Sequence, residues 1–348
     1  MRVPVVLGLL FLAPVTLLSQ PPAQSSTLDL GSLTESVDAF LPSEMRSRHI
    51  PGAVLIVVSK GAVIAARGYG FADLESRRPV NPERTVFHIA SVSKIITTTA
   101  AVQLIEQGRL EPMKDVNTYL RRVRLAADPA GPITLHHLLT HTAGFEERLI
   151  GIACHEPSEK KTLAAYLAQG LPPRFARPGE VISYSNHGMS LVALLVEEVS
   201  GRRFAEYVKD AILQPLGMHR SGFELADEIV GDLAVAYAFA DGRYQRQSRE
   251  CLQSLGAGGF ATTGADIAKF MLAQLQRGEH NGSRVLGADS VRQMQARQFA
   301  PHEGTSGWAY GFWDCFRRAR DRASSFVDTA VDCPARFCNA DSRLSVVA

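Results

Sequence analysis

The segment Phe87-His88-Ile89-Ala90-Ser91-Val92-Ser93-Lys94 leads into an apolar stretch that continues to Glu106. A helix formed here would be apolar on most sides, through Val92, Ile95, Ile96, Ala100, Ala101, Leu104 and Ile105. Such a helix is typical of a protein core. Because residues three apart share one helical face, Lys94 can reach the hydroxyl of Ser91. The sequence therefore predicts a buried central helix with a serine at its mouth and a lysine one turn below.

Ser91 and Lys94 have the chemistry of a nucleophile and its base. Burial disfavours the charged form of a lysine, so we expect the pKa of Lys94 to fall. A neutral amine at this position can take the proton of the Ser91 hydroxyl. The unpaired backbone N–H groups and the positive dipole at the first helical turn also suit an oxyanion.

The composition is that of an ordinary globular chain. Its 348 residues are 46% hydrophobic and 21% charged, which suits one domain with two lobes or two domains. The net charge of +2 provides no basic excess for nucleic acid, so we exclude a nucleic-acid partner.

The N-terminus predicts export. Met1-Arg2 precedes an apolar run that reaches Leu18, a pattern typical of a signal peptide, which we place at residues 1–23. An uncleaved membrane anchor is the alternative, but a membrane-spanning helix needs about 20 apolar residues. This run is shorter and contains Pro4 and Pro14. We therefore expect cleavage, a periplasmic or secreted protein and no stable membrane span.

The remaining pattern indicates a helical lobe inserted into a body of strands and helices. The body is predicted at 30–110 and 255–313, and the lobe at 111–254. In the body we expect a helix at 33–49, a hairpin of 52–59 with 62–69, a return segment at 256–263 and a helix at 265–276. In the lobe we expect helices at 135–141, 163–169, 189–199 and 204–213.

A second chemical pattern is Tyr184-Ser185-Asn186, which is followed by a long apolar helix. A tyrosine at the lip of the lobe can face Ser91 across a cleft and exchange protons with it or with a leaving group. We expect a nearby Lys94 ammonium to favour the deprotonated phenol. The Asn186 amide suits a substrate carbonyl or amide.

These motifs, together with the run His-His-Leu-Leu-Thr-His-Thr-Ala-Gly at 136–144, resemble the serine β-lactamase and penicillin-binding protein superfamily. The match is to the class C type with its related esterases and D-amino-acid peptidases, over about residues 33 to 313. The resemblance implies an α+β fold, in which helices flank an antiparallel sheet and a helical lobe is inserted. It also implies Ser91 as the acylated nucleophile, Lys94 and Tyr184 as the acid/base pair, Asn186 beside the substrate, and no cofactor. Which of Lys94 and Tyr184 acts as the base stays open.

Two weaker patterns compete with these assignments. Ser158-Glu159-Lys160-Lys161 also matches Ser-x-x-Lys, but it lies among charged residues without an apolar helix. His136, His137 and His141 suggest a metal, yet Leu138 stands where the usual zinc signature has Glu. We therefore predict no metal, and instead a capped helix that ends at Gly144.

The sequence departs from the superfamily near its C-terminus. The third element, Lys-Thr-Gly or His-x-Gly on a strand beside the cleft, is expected soon after 308–313, but no glycine follows Gly311. The matches at 280–282 and 302–304 lie in polar, turn-like sequence. We therefore expect C-terminal strands to be missing and 314–348 to lie outside the fold. Of five cysteines, Cys154 with Cys251 is one possible pair.

The sequence thus predicts an exported serine hydrolase of the class C β-lactamase-related type. Its substrate would be a small molecule or peptide with an amide, ester or lactam carbonyl, cleaved through an acyl-enzyme on Ser91. A D,D-peptidase or an esterase is the alternative within this mechanism. A binding protein with little or no turnover is the alternative outside it, because the third element is absent.

Overall fold

A computed structural model describes residues 30–127, 129–154, 156–249, 251–314 and 344–347. The predicted signal peptide at 1–23 and the tail at 315–343 lie outside the described residues. The helices are α1 (Leu30–Ser47), α2 (Ser93–Glu106), α3 (Leu135–Leu139), α4 (Leu163–Gly170), α5 (Asn186–Ser200), α6 (Phe204–Val208), α7 (Asp227–Val230), α8 (Gly264–Leu275) and α9 (Ala288–Gln295). The strands of the body are β1 (Gly52–Ser59), β2 (Ala62–Asp73), β3 (Arg78–Pro79) and β4 (Val86–His88). Those that follow are β5 (Ala153–Cys154), β6 (Tyr237–Ala240), β7 (Arg243–Arg246), β8 (Cys251–Leu252), β9 (Ala261–Thr263), β10 (Glu279–His280), β11 (Ser283–Arg284), β12 (Gly307–Trp308), β13 (Trp313–Asp314) and β14 (Leu344–Val347).

The predicted hairpin forms the centre of the main sheet. β1 and β2 pair antiparallel around a turn in which Lys60 has φ +49° and Gly61 has φ +83°. Positive φ at both central residues matches the right-handed twist of the two strands. The sheet has the order β14-β1-β2-β3, and its pairings are antiparallel. With α8 and α2 packed nearby in one apolar cluster, the fold is the predicted α+β arrangement.

The expectation that C-terminal strands are missing does not hold for residues 344–347. β14 pairs antiparallel with β1, with Leu344 opposite Ser59 and Val347 opposite Ile56. The strand is only four residues long, so it gives little alternation to recognise in the sequence.

α2 is the buried helix that the sequence predicts. Every residue from Ser93 to Leu104 is buried. One apolar cluster joins α2 to α5, to α8 and to Ile56 and Val58 of β1. The helix ends at Glu106, just before Gly108, whose φ of +68° lies in the left-handed region. The start of α2 is therefore held by the core of the protein.

The region predicted as an all-helical lobe also contains strands. Its predicted helices are present, and α5 begins three residues earlier than expected because the Ser185 hydroxyl accepts the backbone N–H of Gly188. The lobe is not all-helical, however, because β6 and β7 form a hairpin in which Asp241 and Gly242 both have positive φ. Asp-Gly favours a hairpin turn, a local signal that the prediction of an all-helical lobe does not include.

A disulfide joins two segments of this region. Cys154 and Cys251, whose Cα atoms are 5.1 Å apart, are bonded, and their strands β5 and β8 pair antiparallel. Of the cysteine pairings that the sequence left open, this one is present. Among the described residues, none of the helices combines the length and apolar character needed to cross a bilayer.

Candidate active site

Ser91 lies in a short 3-10 turn, Ala90–Val92, between β4 and α2. β4 pairs with β9, and the Ile89 N–H donates to the Phe260 carbonyl at 3.1 Å. Ala90 has φ +43°, a left-handed conformation that is uncommon without glycine. The Ser93 hydroxyl holds it by donating to the Ala90 carbonyl at 2.5 Å while accepting the Phe260 N–H at 3.1 Å. The neighbouring β9 segment therefore fixes the backbone from which Ser91 projects.

Lys94 contacts the Ser91 hydroxyl from inside the core. Its Nζ lies 3.0 Å from Ser91 Oγ, 2.8 Å from Asn186 Oδ1 and 2.7 Å from the Ala257 carbonyl oxygen. The residue is 4% exposed, whereas Ser91 is half-buried. Burial lowers the pKa of Lys94 to about 7, and Glu147 acts in the opposite direction. A large neutral fraction of the amine is thus present near neutral pH.

The carbonyl groups beside Lys94 come from the glycine-rich segment that precedes β9. Thr97, one turn after Lys94, donates its hydroxyl hydrogen to the Gly256 carbonyl at 2.7 Å. Gly256 has φ +88°, and a Cβ there would lie 2.6 Å from the Cβ of Ala193. Only glycine fits this close approach to α5. The carbonyls of Gly256 and Ala257, which accept from Thr97 and Lys94, anchor the same segment to α2.

Tyr184 approaches Ser91 from the lobe. Its phenol donates to Ser91 Oγ at 2.7 Å, and Lys94 Nζ lies 4.7 Å from the ring centroid. Burial raises the pKa of Tyr184 to about 12, and the hydrogen bond with Ser91 only partly opposes this. The expectation that the deprotonated phenol is favoured here is therefore wrong, because desolvation of the phenol raises its pKa.

His141 holds the segment that carries Tyr184. The His141 carbonyl accepts the Ser183 N–H at 2.7 Å, and its Nδ1 accepts the Ser185 N–H at 3.2 Å. The His141 ring packs 4.6 Å from the Tyr184 ring and 4.5 Å from the Trp308 ring. Burial, followed by the charge of Lys94, lowers the pKa of His141 to about 3. A neutral ring with an unprotonated Nδ1 is what this contact with Ser185 requires.

Asn186 links Lys94 to a residue that the sequence analysis missed, Glu147. The Asn186 side-chain Nδ2 donates to Glu147 Oε1 at 2.9 Å, and its backbone N–H donates to Glu147 Oε2 at 2.9 Å. Glu147 is exposed and lies 39 residues before Asn186. An acidic residue in a loop has no pattern that distinguishes it, so only the fold brings it to the site.

The three histidines that suggested a metal do not converge on one point. Each histidine contacts a different group. His136 Nδ1 lies 2.9 Å from Tyr310 Oη, and His137 caps α3 together with Thr134. His141 accepts the backbone N–H of Ser185. Within the described ranges, no group of three or more His, Cys, Asp and Glu side chains could hold a metal ion. The predicted helix end at Gly144 is wrong, since α3 ends at Leu139 and His141 has φ +56°.

The sequence matches set aside above lie in turns and loops. Ser158, the serine of the second Ser-x-x-Lys match, is exposed in a 3-10 turn. The match at 280–282 forms the tight turn between β10 and β11, where Asn281 and Gly282 have positive φ. The match at 302–304 is an exposed loop.

Comparisons with known proteins point to the same superfamily. Residues 37–314 match the model of the family described as Beta-lactamase. Esterase EstB of Burkholderia gladioli is 33% identical, over 58% of this chain and 54% of that protein. The putative penicillin-binding protein PbpX of Bacillus subtilis is 31% identical, over 62% of this chain and 52% of that protein. The chain thus spans about half the length of these curated relatives.

Solved structures share the fold. The octameric penicillin-binding protein homologue from Pyrococcus abyssi has a TM-score of 0.69 and 28% identity, covering 80% of this chain and 64% of that one. EstCE1, a hydrolase with promiscuous acyltransferase activity, has a TM-score of 0.69 and 25% identity, covering 83% of this chain and 84% of that one. Because the family match extends over most of the sequence, this chain belongs to the Beta-lactamase family, within the superfamily of serine β-lactamases and transpeptidases.

Proposed function

We propose that this chain is an exported serine hydrolase of the class C β-lactamase-related type, which cleaves a carbonyl substrate through an acyl-enzyme on Ser91. One observation carries the proposal: Lys94 Nζ and Tyr184 Oη both lie within hydrogen-bond distance of Ser91 Oγ, at 3.0 and 2.7 Å. A nucleophile with a general base and a general acid in direct contact is the minimum equipment for acyl transfer. Export rests on residues 1–23, and N-terminal sequencing of the mature protein tests it.

In this proposal Lys94 is the base and Tyr184 is the acid. A pKa near 7 makes the amine a proton acceptor at neutral pH, whereas a pKa near 12 keeps the phenol protonated. Lys94 takes the Ser91 proton as Oγ bonds to the substrate carbonyl carbon. The bond between the carbonyl carbon and the leaving group then breaks while the phenol protonates the leaving group. The Lys94 ammonium returns a proton to the phenolate. Water hydrolyses the resulting Ser91 ester.

Among carbonyl substrates we favour a neutral ester. The exposed Glu147 carboxylate contacts Asn186 at two points, so a negative charge lies where the superfamily places its substrate. β-Lactams and D-Ala-D-Ala peptides carry a carboxylate of their own, which this charge repels. A relative 33% identical to this chain is named an esterase, which supports the same choice over a β-lactamase or a D,D-peptidase.

A binding protein with little turnover is the second candidate. The sequence contains no glycine, lysine or histidine after Gly311, so the third element of the superfamily is not found there. That element provides an oxyanion donor, and loss of one such donor costs about 100- to 1000-fold in turnover.

Active-site labelling separates the two candidates. We expect a fluorophosphonate probe to attach to Ser91 in the full chain, as located by mass spectrometry of the labelled peptide. Ser91→Ala should abolish labelling. Ser158→Ala, the same substitution in the other Ser-x-x-Lys match, should label like the wild type. A folded wild-type protein without label would contradict the enzyme and favour the binding protein.

A chromogenic short-chain ester, a chromogenic cephalosporin and a D-Ala-D-Ala peptide can then be compared for kcat/KM. The ester should be hydrolysed fastest. A faster reaction with either anionic substrate would contradict the substrate preference while leaving the serine mechanism intact.

A further inference from the structure

We infer that Glu147 is a positioning residue, which fixes the side-chain amide of Asn186 and thereby aims the lone pair of Lys94 at Ser91. The inference rests on the serine-hydrolase function proposed above and extends it to a residue that never touches the reacting atoms. It follows from the donors and acceptors at three successive contacts: Glu147 with Asn186, Asn186 with Lys94, and Lys94 with Ser91.

The first contact decides which way the Asn186 amide points. A carboxylate can only accept hydrogen bonds, whereas an amide has one accepting and one donating end. Glu147 Oε2 accepts the backbone N–H of Asn186 at 2.9 Å, and Oε1 lies 2.9 Å from the side-chain amide. The amide nitrogen must therefore face Glu147, and its oxygen must face Lys94, from which it is 2.8 Å away.

The second contact decides where the lone pair of Lys94 points. A neutral amine has two hydrogens and one lone pair. Asn186 Oδ1 and the Ala257 carbonyl can only accept, and they lie 2.8 and 2.7 Å from Nζ, so they take the two hydrogens. The lone pair is left for the third neighbour, Ser91 Oγ at 3.0 Å. A flipped Asn186 would donate to Nζ instead, and Ser91 would lose its base.

The charges around Lys94 support the same role. Its titratable neighbours are Tyr184, whose ring centroid is 4.7 Å from Nζ, the buried His141, and Glu147 across Asn186. At neutral pH the phenol is protonated and the imidazole is neutral, given pKa values of about 12 and about 3. Of these groups, Glu147 is therefore the charged one, and it raises the pKa of Lys94 against the effect of burial.

The chain offers a matched control beside Glu147. Glu146 is also an exposed carboxylate in the same loop, but it contacts Pro173 through its backbone, whose N–H donates to the Pro173 carbonyl at 3.0 Å. Glu146→Gln and Glu147→Gln remove the same charge from adjacent positions. A difference between the two variants therefore reports the position of Glu147 beside Asn186 and Lys94, not net charge.

The test measures the second-order rate of fluorophosphonate labelling of Ser91 as a function of pH. We expect Glu147→Gln to label about 10- to 100-fold more slowly, as for loss of a hydrogen bond to a charged group. The acid limb of its profile, where the labelling rate falls as Lys94 becomes protonated, should lie at lower pH than in the wild type. Glu147→Asp, which keeps the charge, should hold the acid limb near the wild-type position. Glu146→Gln should match the wild type. Equal rates and equal profiles for Glu147→Gln and the wild type would overturn the inference.

A second measurement does not depend on turnover. In protein labelled with 13C at the lysine Cε, the signal that Lys94→Met removes reports the titration of Lys94. Its pKa should be lower in Glu147→Gln than in the wild type and in Glu146→Gln, and an unchanged pKa would overturn the inference. Absence of labelling in the wild type would instead overturn the proposed function, so the two failures are distinguishable.

Discussion

The two sides of the active site are held in different ways. Ser91 and Lys94 flank the start of α2, which is buried from Ser93 to Leu104, so the core and the Ser93 contacts with Ala90 and Phe260 fix them. Tyr184 and Asn186 are half-buried at the edge of the lobe, where polar contacts to loops hold them. Ser91 and Lys94 are thus held mainly by the core, while Tyr184 and Asn186 depend more on polar contacts. Substitutions on the two sides should fail in different ways.

The largest effect is expected on the core side. Lys94→Met replaces the amine by an apolar chain of similar length, and we expect ester hydrolysis to fall by about 1000- to 10,000-fold because the general base is lost. Tyr184→Phe should cost less, about 100-fold, since water can also protonate a leaving group. Steady-state kinetics checks both, with Lys161→Met, the exposed lysine of the other Ser-x-x-Lys match, as the control. A larger loss in Tyr184→Phe would contradict Lys94 as the base.

The contrast between the core side and the lobe side also separates what the sequence could predict from what it could not. The pair Ser91 and Lys94 is three residues apart on one helix, and the apolar period that buries it is local, so both followed from the sequence. Tyr184, 93 residues from Ser91, was a candidate from its motif, and the resemblance to a family supported that assignment. Glu147, His141 and the Ala257 carbonyl join partners that are 39, 44 and 163 residues apart, and their identity depends on loop geometry that no periodicity encodes. The hairpin turn at Asp241-Gly242, by contrast, is a local Asp-Gly pattern that the sequence does contain, whereas the four-residue strand at 344–347 is too short for its alternation to stand out.

A smaller effect is expected from removing the disulfide in the lobe. The Cys154–Cys251 disulfide ties the loop that carries Glu147 to the segment that leads to Ala257. In the double variant Cys154→Ser/Cys251→Ser, we expect the free energy of unfolding to fall by about 2 to 4 kcal/mol. Urea denaturation measures this. The wild type should weaken in the presence of reductant, and the double variant should not respond to it. A wild-type midpoint that is the same with and without reductant would contradict a stabilising role.

The last prediction compares the two sides of the site by the pH dependence of stability. His141 is buried, and burial lowers its pKa to about 3, so the unfolded chain binds more protons than the folded one at acid pH. The stability from a neutral His141 is therefore fully present above its ordinary pKa of about 6.5 and is lost as the pH falls below it. At about 1.4 kcal/mol per pH unit, the loss should reach about 2.8 kcal/mol at pH 4.5, two units below that value.

Urea midpoints at pH 7.5, 5.5 and 4.5 measure this loss. His141→Gln should flatten the pH dependence, because glutamine does not titrate, while His219→Gln at an exposed histidine should leave it unchanged. Since His141 bonds to the residues on either side of Tyr184, its protonation should release the Tyr184 segment before α2 unfolds. Hydrogen exchange at pH 5 should then show Ser183 and Ser185 exchanging faster while the amides of α2 stay protected. Simultaneous loss of protection in both regions would mean that the two sides of the site unfold as one unit, and the contrast between a core-held side and a polar side would not hold.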